Sequence, residues 1–362
     1  MKYWVNSLNL TKKSAVLITA IGGGGYGGQI LKALRQVSAQ AYLLVGTDAS
    51  QSCPQFEEVD HAAQLPLARD QNYLNALFAL CEQFQIRAVF PGCEPELKVM
   101  AAAKQEFDAR GILLMAAEQA FIELCLNKDL ANQRLTELGY APPHYLKVSD
   151  REALNQIDWF PVVVKPSIGA GGSANCFIAQ NLQELMALCD YLGLENIAGS
   201  FIVQEYVGTP EEEYTVGILH DLEGNYINSI AVKRLMSGQL NIRSSVLNRT
   251  GKQHFGPRLV ISSGVSQGHV GRFESVTRQC RDIALALGAR GALNIQCRLV
   301  DGVVRVFEIN PRFSGTTSIR AMVGYNEPDV LLRRHLMQDP VEVDFPYEEG
   351  LVLRELKEVR IL

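Results

Sequence analysis

The chain has 362 residues, enough at roughly 100–200 residues per domain for two or three units. Apolar residues make up 47% and charged residues 20%, a globular composition with a sizeable core. Its 34 basic and 39 acidic side chains leave a net charge of −5, so no global basic field speaks for nucleic acid or an anionic membrane.

No apolar run approaches the roughly 20 residues that span a bilayer. The opening "MKYWVNSLNLTKKS" lacks the apolar core of a secretion signal. The eight cysteines (53, 81, 93, 125, 176, 189, 280, 297) are scattered, with no C-x-x-C pair and no Cys/His cluster. That argues against a disulfide framework or a structural zinc, and for a reduced cytoplasm.

The first third alternates strands and helices. "SAVLITAI" (14–21) is a buried strand that runs into glycines, and "GQILKALRQV" (28–37) is an amphipathic helix. "AYLLVGTD" (41–48) is a second strand ending in an acid, followed by a helix over 71–84 and the strand and turn "IRAVFPGCEPE" (86–96). A helix over 96–111 closes at Gly111, and "ILLMAA" (112–117) is a further strand. This alternation predicts βαβ units and a parallel sheet.

"AFIELCLNKDLANQRLTELG" (120–139) reads as one helix, and the proline-punctuated "YAPPHYLKVSD" after it as a connector near a domain boundary. Strands and helices then mix without strict alternation. "FPVVVKPSIG" and "FIVQEYV" (201–207) are strands, 181–193 and 272–289 are helices, and 213–236 forms two strands about Gly224-Asn225. "GALNIQCRLVDGVVRVFEINPR" (291–312) is a hairpin. The pattern is α/β first and α+β after it.

Two glycine clusters invite a phosphate. In "IGGGGYGG" (21–28), Gly23, Gly25 and Gly28 fit the dinucleotide spacing, with Asp48 placed to bind a ribose. The same glycines suit a tight strand-to-helix turn that holds no ligand. In "VVVKPSIGAGGSAN" (162–175), Lys165 ends a buried strand, and Gly169, Gly171, Gly172 and Ser173 follow with little side-chain bulk to keep backbone N–H groups from an anion.

The company of the second cluster favours it. Glu205, Tyr206 and Val207 end a strand whose backbone can meet an adenine edge, and Glu213 can accept from ribose hydroxyls. In "VFEINPRFSGT" (306–316), Glu308 and Asn310 share one face of a strand and are oxygen ligands suited to Mg²⁺. Phe307 and Ile309 point to the other face, into a core. Arg312 stands beyond Pro311, where it can clamp a phosphoryl oxygen.

These stretches resemble the ATP-grasp superfamily, and most closely the synthetase units of the carbamoyl phosphate synthase large chain. The residues that carry the resemblance are "NKD" (127–129), "VVKPSIGAGGS" (163–173), "QEYVGTPEEEYTV" (204–216), "ALNIQ" (292–296) and "FEINPRFSG" (307–315). The resemblance implies a Rossmann-like pre-grasp domain (1–120), then a two-lobed ATP-grasp fold. Its small lobe, with the linker helix, spans 121–208, and its large lobe spans 209–362. It implies Lys128 and Lys165 on ATP phosphates, Gly171 to Ser173 as a closing loop, and Glu205 to Val207 as the adenine hinge. Glu213 would take the ribose, Gln296, Glu308 and Asn310 the metal, and Arg312 the transferred phosphoryl group. Gly217 and Gln296 stand where many relatives have acids. With a single synthetase unit and no glutaminase in these 362 residues, the expectation is an enzyme other than a full carbamoyl phosphate synthase.

The implied chemistry is ATP-dependent joining of a carboxylate to an amine through an acyl phosphate, using ATP and one or two Mg²⁺, which Mn²⁺ can replace. Substrates would be small carboxylic acids and amines, amino acids among them, and a homodimer is a family-level expectation. The alternatives are a kinase-like or carbamoyl phosphate synthase-like phosphorylation of a carboxylate, and a nucleotide-binding module without catalysis. Lys233, Arg234 and Arg243, with Ser314, Thr316, Thr317 and Arg320, lie where they can meet the substrates, Lys233 and Arg234 in a catalytic role.

The hairpin carries a geometric expectation. Gln296 and Glu308 share a face if the turn is the three-residue loop Val300-Asp301-Gly302, which pairs Gln296 with Val306 and needs positive φ at Gly302.

Overall fold

The computed structural model describes residues 13–22, 25–37, 41–169, 173–238, 240–356 and 358–359. Gly171 and Gly172 of the expected phosphate loop, and Gly23 of the first cluster, lie outside the described residues.

The N-terminal third is a five-stranded parallel sheet. Its strands are β1 (Ser14–Ile18), β2 (Tyr42–Asp48), β3 (His61–Gln64), β4 (Ala88–Phe90) and β5 (Leu113–Leu114), in the order β3-β2-β1-β4-β5. Alternation on β1 sends Val16 and Ile18 toward Ile30 and Leu31 of the helix Gly27–Leu34, and Leu17 toward Tyr73, Leu77 and Phe107 on the opposite face. Helices on both faces explain why these strands are near-continuous apolar runs.

An antiparallel sheet follows, built of β6 (Tyr145–Lys147), β7 (Val162–Pro166), β8 (Phe177–Ala179) and β9 (Phe201–Glu205), ordered β6-β9-β7-β8. Val162, Val164 and Val203 pack under Leu185 and Cys189 of the helix Leu182–Leu192. The largest sheet is antiparallel throughout. It begins with β10 (Glu213–His220) and β11 (Tyr226–Arg234). A ribbon of β12 (Ile242–Leu247) and β13 (Arg258–Ser262) then leaves it, and Phe255 and Leu259 of this excursion pack with Tyr206, Val163 and Ile178 on the small sheet. The large sheet continues with β14 (Gly268–Gly271), β15 (Ala292–Val300), β16 (Val303–Asn310) and β17 (Gly350–Val352), in the order β16-β15-β10-β11-β14-β17. The helix Glu274–Leu287 covers one face, and the core beside β11 is continuous with the core of the parallel sheet.

Three differences from the sequence reading bear on the site. The predicted single helix over 120–139 breaks at Asn127 into Gln119–Leu126 and Lys128–Glu137. Asn127 turns extended, caps the second helix by accepting from the Asp129 and Leu130 N–H groups, and bridges to Ile168. Lys128 is thereby placed beside the second glycine cluster, where its Nζ lies 3.4 Å from the Gly169 carbonyl.

The hairpin turn is the second difference. Val300 pairs with Val303, so the loop has two residues, Asp301 at φ +50° and Gly302 at φ +79°. The expected positive φ at Gly302 is present, but the three-residue loop is not. A regular ladder from this turn would set Gln296 opposite Phe307 and send Glu308 to the far face. Instead Cys297 pairs with Val306 and Gln296 with Glu308. Phe307 is the extra residue of a β-bulge, which restores the shared face. The third difference follows, since Phe307 does not enter the core but lines a cleft beside Glu308.

Candidate active site

Alternation on three neighbouring strands builds one polar face. Glu213 and Thr215 on β10, Asn294, Gln296 and Arg298 on β15, and Glu308 and Asn310 on β16 fall on the same side of the large sheet. Two cavities open above this face. A cleft runs between the small and large sheets, and a larger cavity lies between the large sheet and the N-terminal third. Glu308, Gln296 and Ser173 line both.

Lys165 and Glu308 meet at the join. Lys165 is buried, and its ammonium donates to Gln204 Oε1 at 2.6 Å and to the carbonyl of the bulged Phe307 at 3.0 Å. Burial, with Lys128 nearby, pulls its pKa down to about 8. Burial alone would push the Glu308 carboxyl up. Lys128, Lys165, the Asn310 amide and Arg312 outweigh it and hold the group below the ordinary carboxylate range. Asn310 Nδ2 donates to Glu308 Oε1 at 3.1 Å, and Arg312 Nη2 donates to Asn310 Oδ1 at 3.1 Å.

Gln296, Glu308 and Asn310 fit a hard cation by their donor type, which is oxygen throughout. They supply one carboxylate and two neutral amides. For that reason no group of three His, Cys, Asp or Glu side chains forms a metal cluster among the described residues. Such a set would hold Mg²⁺ only in company with substrate phosphates.

Val163, Val207, Ile261 and Phe307 give the narrow cleft apolar walls. At its expected adenine edge the Glu205 N–H donates to the His144 carbonyl at 2.7 Å and the Tyr206 N–H to the Pro161 carbonyl at 3.0 Å. The Val207 carbonyl accepts from Arg298 Nη1 at 3.0 Å. Glu213 is buried between two arginines. Its Oε2 accepts from Arg298 Nη2 at 2.9 Å and its Oε1 lies 3.3 Å from Arg234 Nη1. Ser173 sits at φ +59° and donates to the Ser262 carbonyl at 2.7 Å.

In the larger cavity, Arg312 is paired with a residue 218 positions away: its Nη2 lies 2.7 Å from Glu94 Oε1, and its guanidinium stacks 4.6 Å over the Tyr26 ring. Arg234 also lines this cavity and is held by Ser262 Oγ and the Ser263 carbonyl. Arg243 lines it as an exposed cation with no hydrogen-bond partner among the described residues.

Three expected substrate contacts are not brought there, and of these Thr317 is fully buried and donates to Glu327 Oε2 at 3.0 Å. Lys233 precedes Arg234 on β11, so alternation turns it to the other face, where it pairs with Glu212 at 2.5 Å and lies over Tyr214. Arg320 is fully buried and structural. It is held by Glu327 at 3.0 Å and Asn294 Oδ1 at 2.8 Å, and it fills the space that Gly217 leaves, where a Cβ would collide with its Nη1.

In the first glycine cluster, Gly22 and Gly27 make turn and close-approach contacts. Asp48 accepts from the Gly22 N–H at 2.9 Å and is spent on the turn itself. Gly27 donates to the Gly92 carbonyl at 3.0 Å, and a Cβ on Gly27 would strike the Thr19 carbonyl, so the glycine is there for close approach.

Sequence reasoning missed Glu94, Tyr26 and Arg298. Arg298 was readable, since it continues the two-residue period from Gln296. Glu94 follows the carboxyl end of a parallel strand, where open α/β sheets place their ligand contacts.

The profile described as "PylC-like, N-terminal domain" matches residues 16–115, and that described as "ATP-grasp in the biosynthetic pathway with Ter operon" matches residues 257–359. The carbamoyl phosphate synthase large chain of Thermomicrobium roseum is 28% identical over 224 residues, which are 59% of this chain and 19% of that protein. The chain thus spans about a fifth of the length of the curated relatives it matches. Among solved structures, the L-amino acid ligase of Bacillus licheniformis superposes with a TM-score of 0.61 at 18% identity, covering 92% of this chain and 76% of that one. The biotin carboxylase of Campylobacter jejuni, solved with a β,γ-ATP complex, gives a TM-score of 0.62 at 16% identity, covering 90% and 71%.

Proposed function

We propose that this chain, which has the ATP-grasp fold, is an ATP-dependent carboxylate–amine ligase that works through an acyl phosphate. The observation that carries this reading is the position of Glu308. It lines both a narrow cleft, whose walls include Lys165, and a larger cavity, whose walls include Arg312, and Lys128, Lys165 and Arg312 all lower its pKa by their charge.

In this reading the narrow cleft takes ATP, with the base between Val163, Val207 and Phe307. Lys128 and Lys165 hold the phosphates. The large cavity takes the acid and the amine. Gln296, Glu308 and Asn310 would hold Mg²⁺, which supplies charge neutralisation between the phosphoryl oxygens. The acid's carboxylate oxygen attacks the γ-phosphorus, and the bond to the bridging oxygen breaks to release ADP. The amine nitrogen then attacks the acyl carbon, phosphate leaves with its bonding pair, and the amine loses a proton.

Lys165 and Arg312 offset the charge that builds on the transferred group, and both are held in place before reaction, so little reorganisation is needed. This reading assigns Gly171, Gly172 and Ser173 to the phosphates, and of the three Ser173 lies among the described residues. The division at residues 120 and 208, the use of amino acids, and a homodimer belong to the same reading. Among the described residues no helix is long and apolar enough to cross a membrane.

Hydroxylamine trapping tests the intermediate. With ATP, Mg²⁺ and a pool of small carboxylic acids, the protein should form a hydroxamate, and the Glu308→Gln protein should not. ADP formed with an acid but with no hydroxamate would contradict the acyl phosphate.

A further inference from the structure

Arg354 is a largely buried guanidinium without a counter-ion. It follows β17 and reaches into the larger cavity. Its three side-chain partners are neutral. Nε donates to the Ser266 carbonyl at 2.9 Å, Nη1 to Gln29 Oε1 at 3.0 Å, and Nη2 to the Gly315 carbonyl. Burial lowers its pKa, and no carboxylate pairs with it among the described residues. The two other buried arginines of this wall differ, for Arg234 has Glu213 and Arg312 has Glu94. A charge taken from water without a partner is costly, and an anion in the cavity would remove that cost.

The hydrogen-bond inventory points the same way. A guanidinium has five N–H donors, and the three contacts leave two. Gln29 Oε1 accepts from both Arg354 and Ser318 Oγ, the latter at 2.6 Å. Its carbonyl end is therefore pinned, and its NH₂ end turns away from both donors. Gln29 lines the same cavity, and no protein acceptor takes that NH₂ among the described residues. Gln29 also lies in the first turn of the helix Gly27–Leu34, at its positive end. The Ser314–Thr316 turn, which follows Arg312, completes this corner through the Gly315 carbonyl.

We propose that Arg354 and Gln29 form an oxyanion subsite for a carboxylate or phosphate carried by one of the two substrates, separate from the carboxylate that is phosphorylated near Glu308. The subsite rests on the reading of the larger cavity as the substrate cavity. It makes the substrate pair a doubly anionic one. Either the amine carries its own acid group, as an amino acid does, or one partner carries a phosphate.

The test is a titration of the purified full chain with succinate and with inorganic phosphate at matched ionic strength, read as thermal stabilisation. One of the two should stabilise the wild-type protein saturably, and which one does so identifies the anion. The same titration is run on Gln29→Glu and Arg354→Met. Gln29→Glu gives Arg354 a counter-ion within the fold, so it should melt at or above the wild-type temperature while binding the probe about tenfold or more weakly. No stabilisation of the wild type by either probe, or wild-type affinity in Gln29→Glu, would overturn the subsite. ADP binding by the wild type is measured in parallel. Its absence would overturn the ligase reading and leave the anion result standing on its own.

Discussion

The Lys165 ammonium donates at 3.0 Å to the carbonyl of Phe307, the extra residue of the bulge in β16. A lysine on the small sheet is thus tied to the strand that carries Glu308 on the large one. The bulge has two consequences. It returns Glu308 to the face of Gln296, and it frees a carbonyl from the ladder to receive the amine.

Lys165→Met should weaken ATP binding by about tenfold or more, since a charge-assisted contact to phosphate is lost. The pH dependence is the sharper test. With a pKa near 8, Lys165 in the free protein gives up its proton as pH rises through that value. ADP affinity of the wild type should fall above pH 8, and this fall should be absent in Lys165→Met. The sign for stability is the reverse. The native pKa lies below the ordinary lysine value of 10.5, so the unfolded chain holds more protons between the two. In that window this group adds stability as pH rises. An ADP titration at several pH values checks the first claim, and a parallel fall in both proteins would refute it.

Glu94→Gln keeps the shape of the Arg312 partner and removes its charge. Turnover should drop by about tenfold to a hundredfold as the guanidinium loses its fixed position. Steady-state kinetics would show it in kcat. Unchanged turnover would mean that the pair serves only to join the N-terminal third to the large sheet.

Gly217→Ala puts a methyl group where Arg320 Nη1 lies, against a guanidinium held by Glu327 and Asn294. Overpacking of this kind costs about 1–3 kcal/mol. The urea midpoint should fall accordingly. A midpoint equal to that of the wild type would show that Arg320 can move aside.

His220 is fully buried, and neither ring nitrogen has a hydrogen-bond partner among the described residues. Burial pulls its pKa down to about 4, with Asp221 opposing. In the unfolded chain the imidazole takes its proton near 6.5, so stability is lost as pH falls from there toward 4. The full loss from this group is on the order of 3 kcal/mol. His335, depressed chiefly by burial, adds to it in the same direction. His220→Leu should flatten the acid limb of a stability–pH curve, and an identical slope would contradict the assignment.

The strands and their shared polar face were legible because polar residues recur at every second position among apolar ones in "ALNIQCRL" and "VFEIN". The bulge was not, since Phe307 is an ordinary strand residue and one extra residue leaves no mark in composition. The break at Asn127 was hidden because helical periodicity continues across it, while the bridge to Ile168 is a tertiary contact. Lys233 was misplaced for a reason the sequence does contain: two adjacent strand residues cannot both face one site. Glu94 was signalled only by its place after a parallel strand, while Arg354 reaches the cavity from an element far away in sequence that no local pattern announces.

The most direct measurement is ADP release by the purified protein with ATP and Mg²⁺, against pooled acids and amines offered separately and together, with Glu308→Gln as control. The ligase reading predicts release that requires both an acid and an amine and is lost in the variant. Release that proceeds equally well with an acid alone, or that persists in Glu308→Gln, would contradict it.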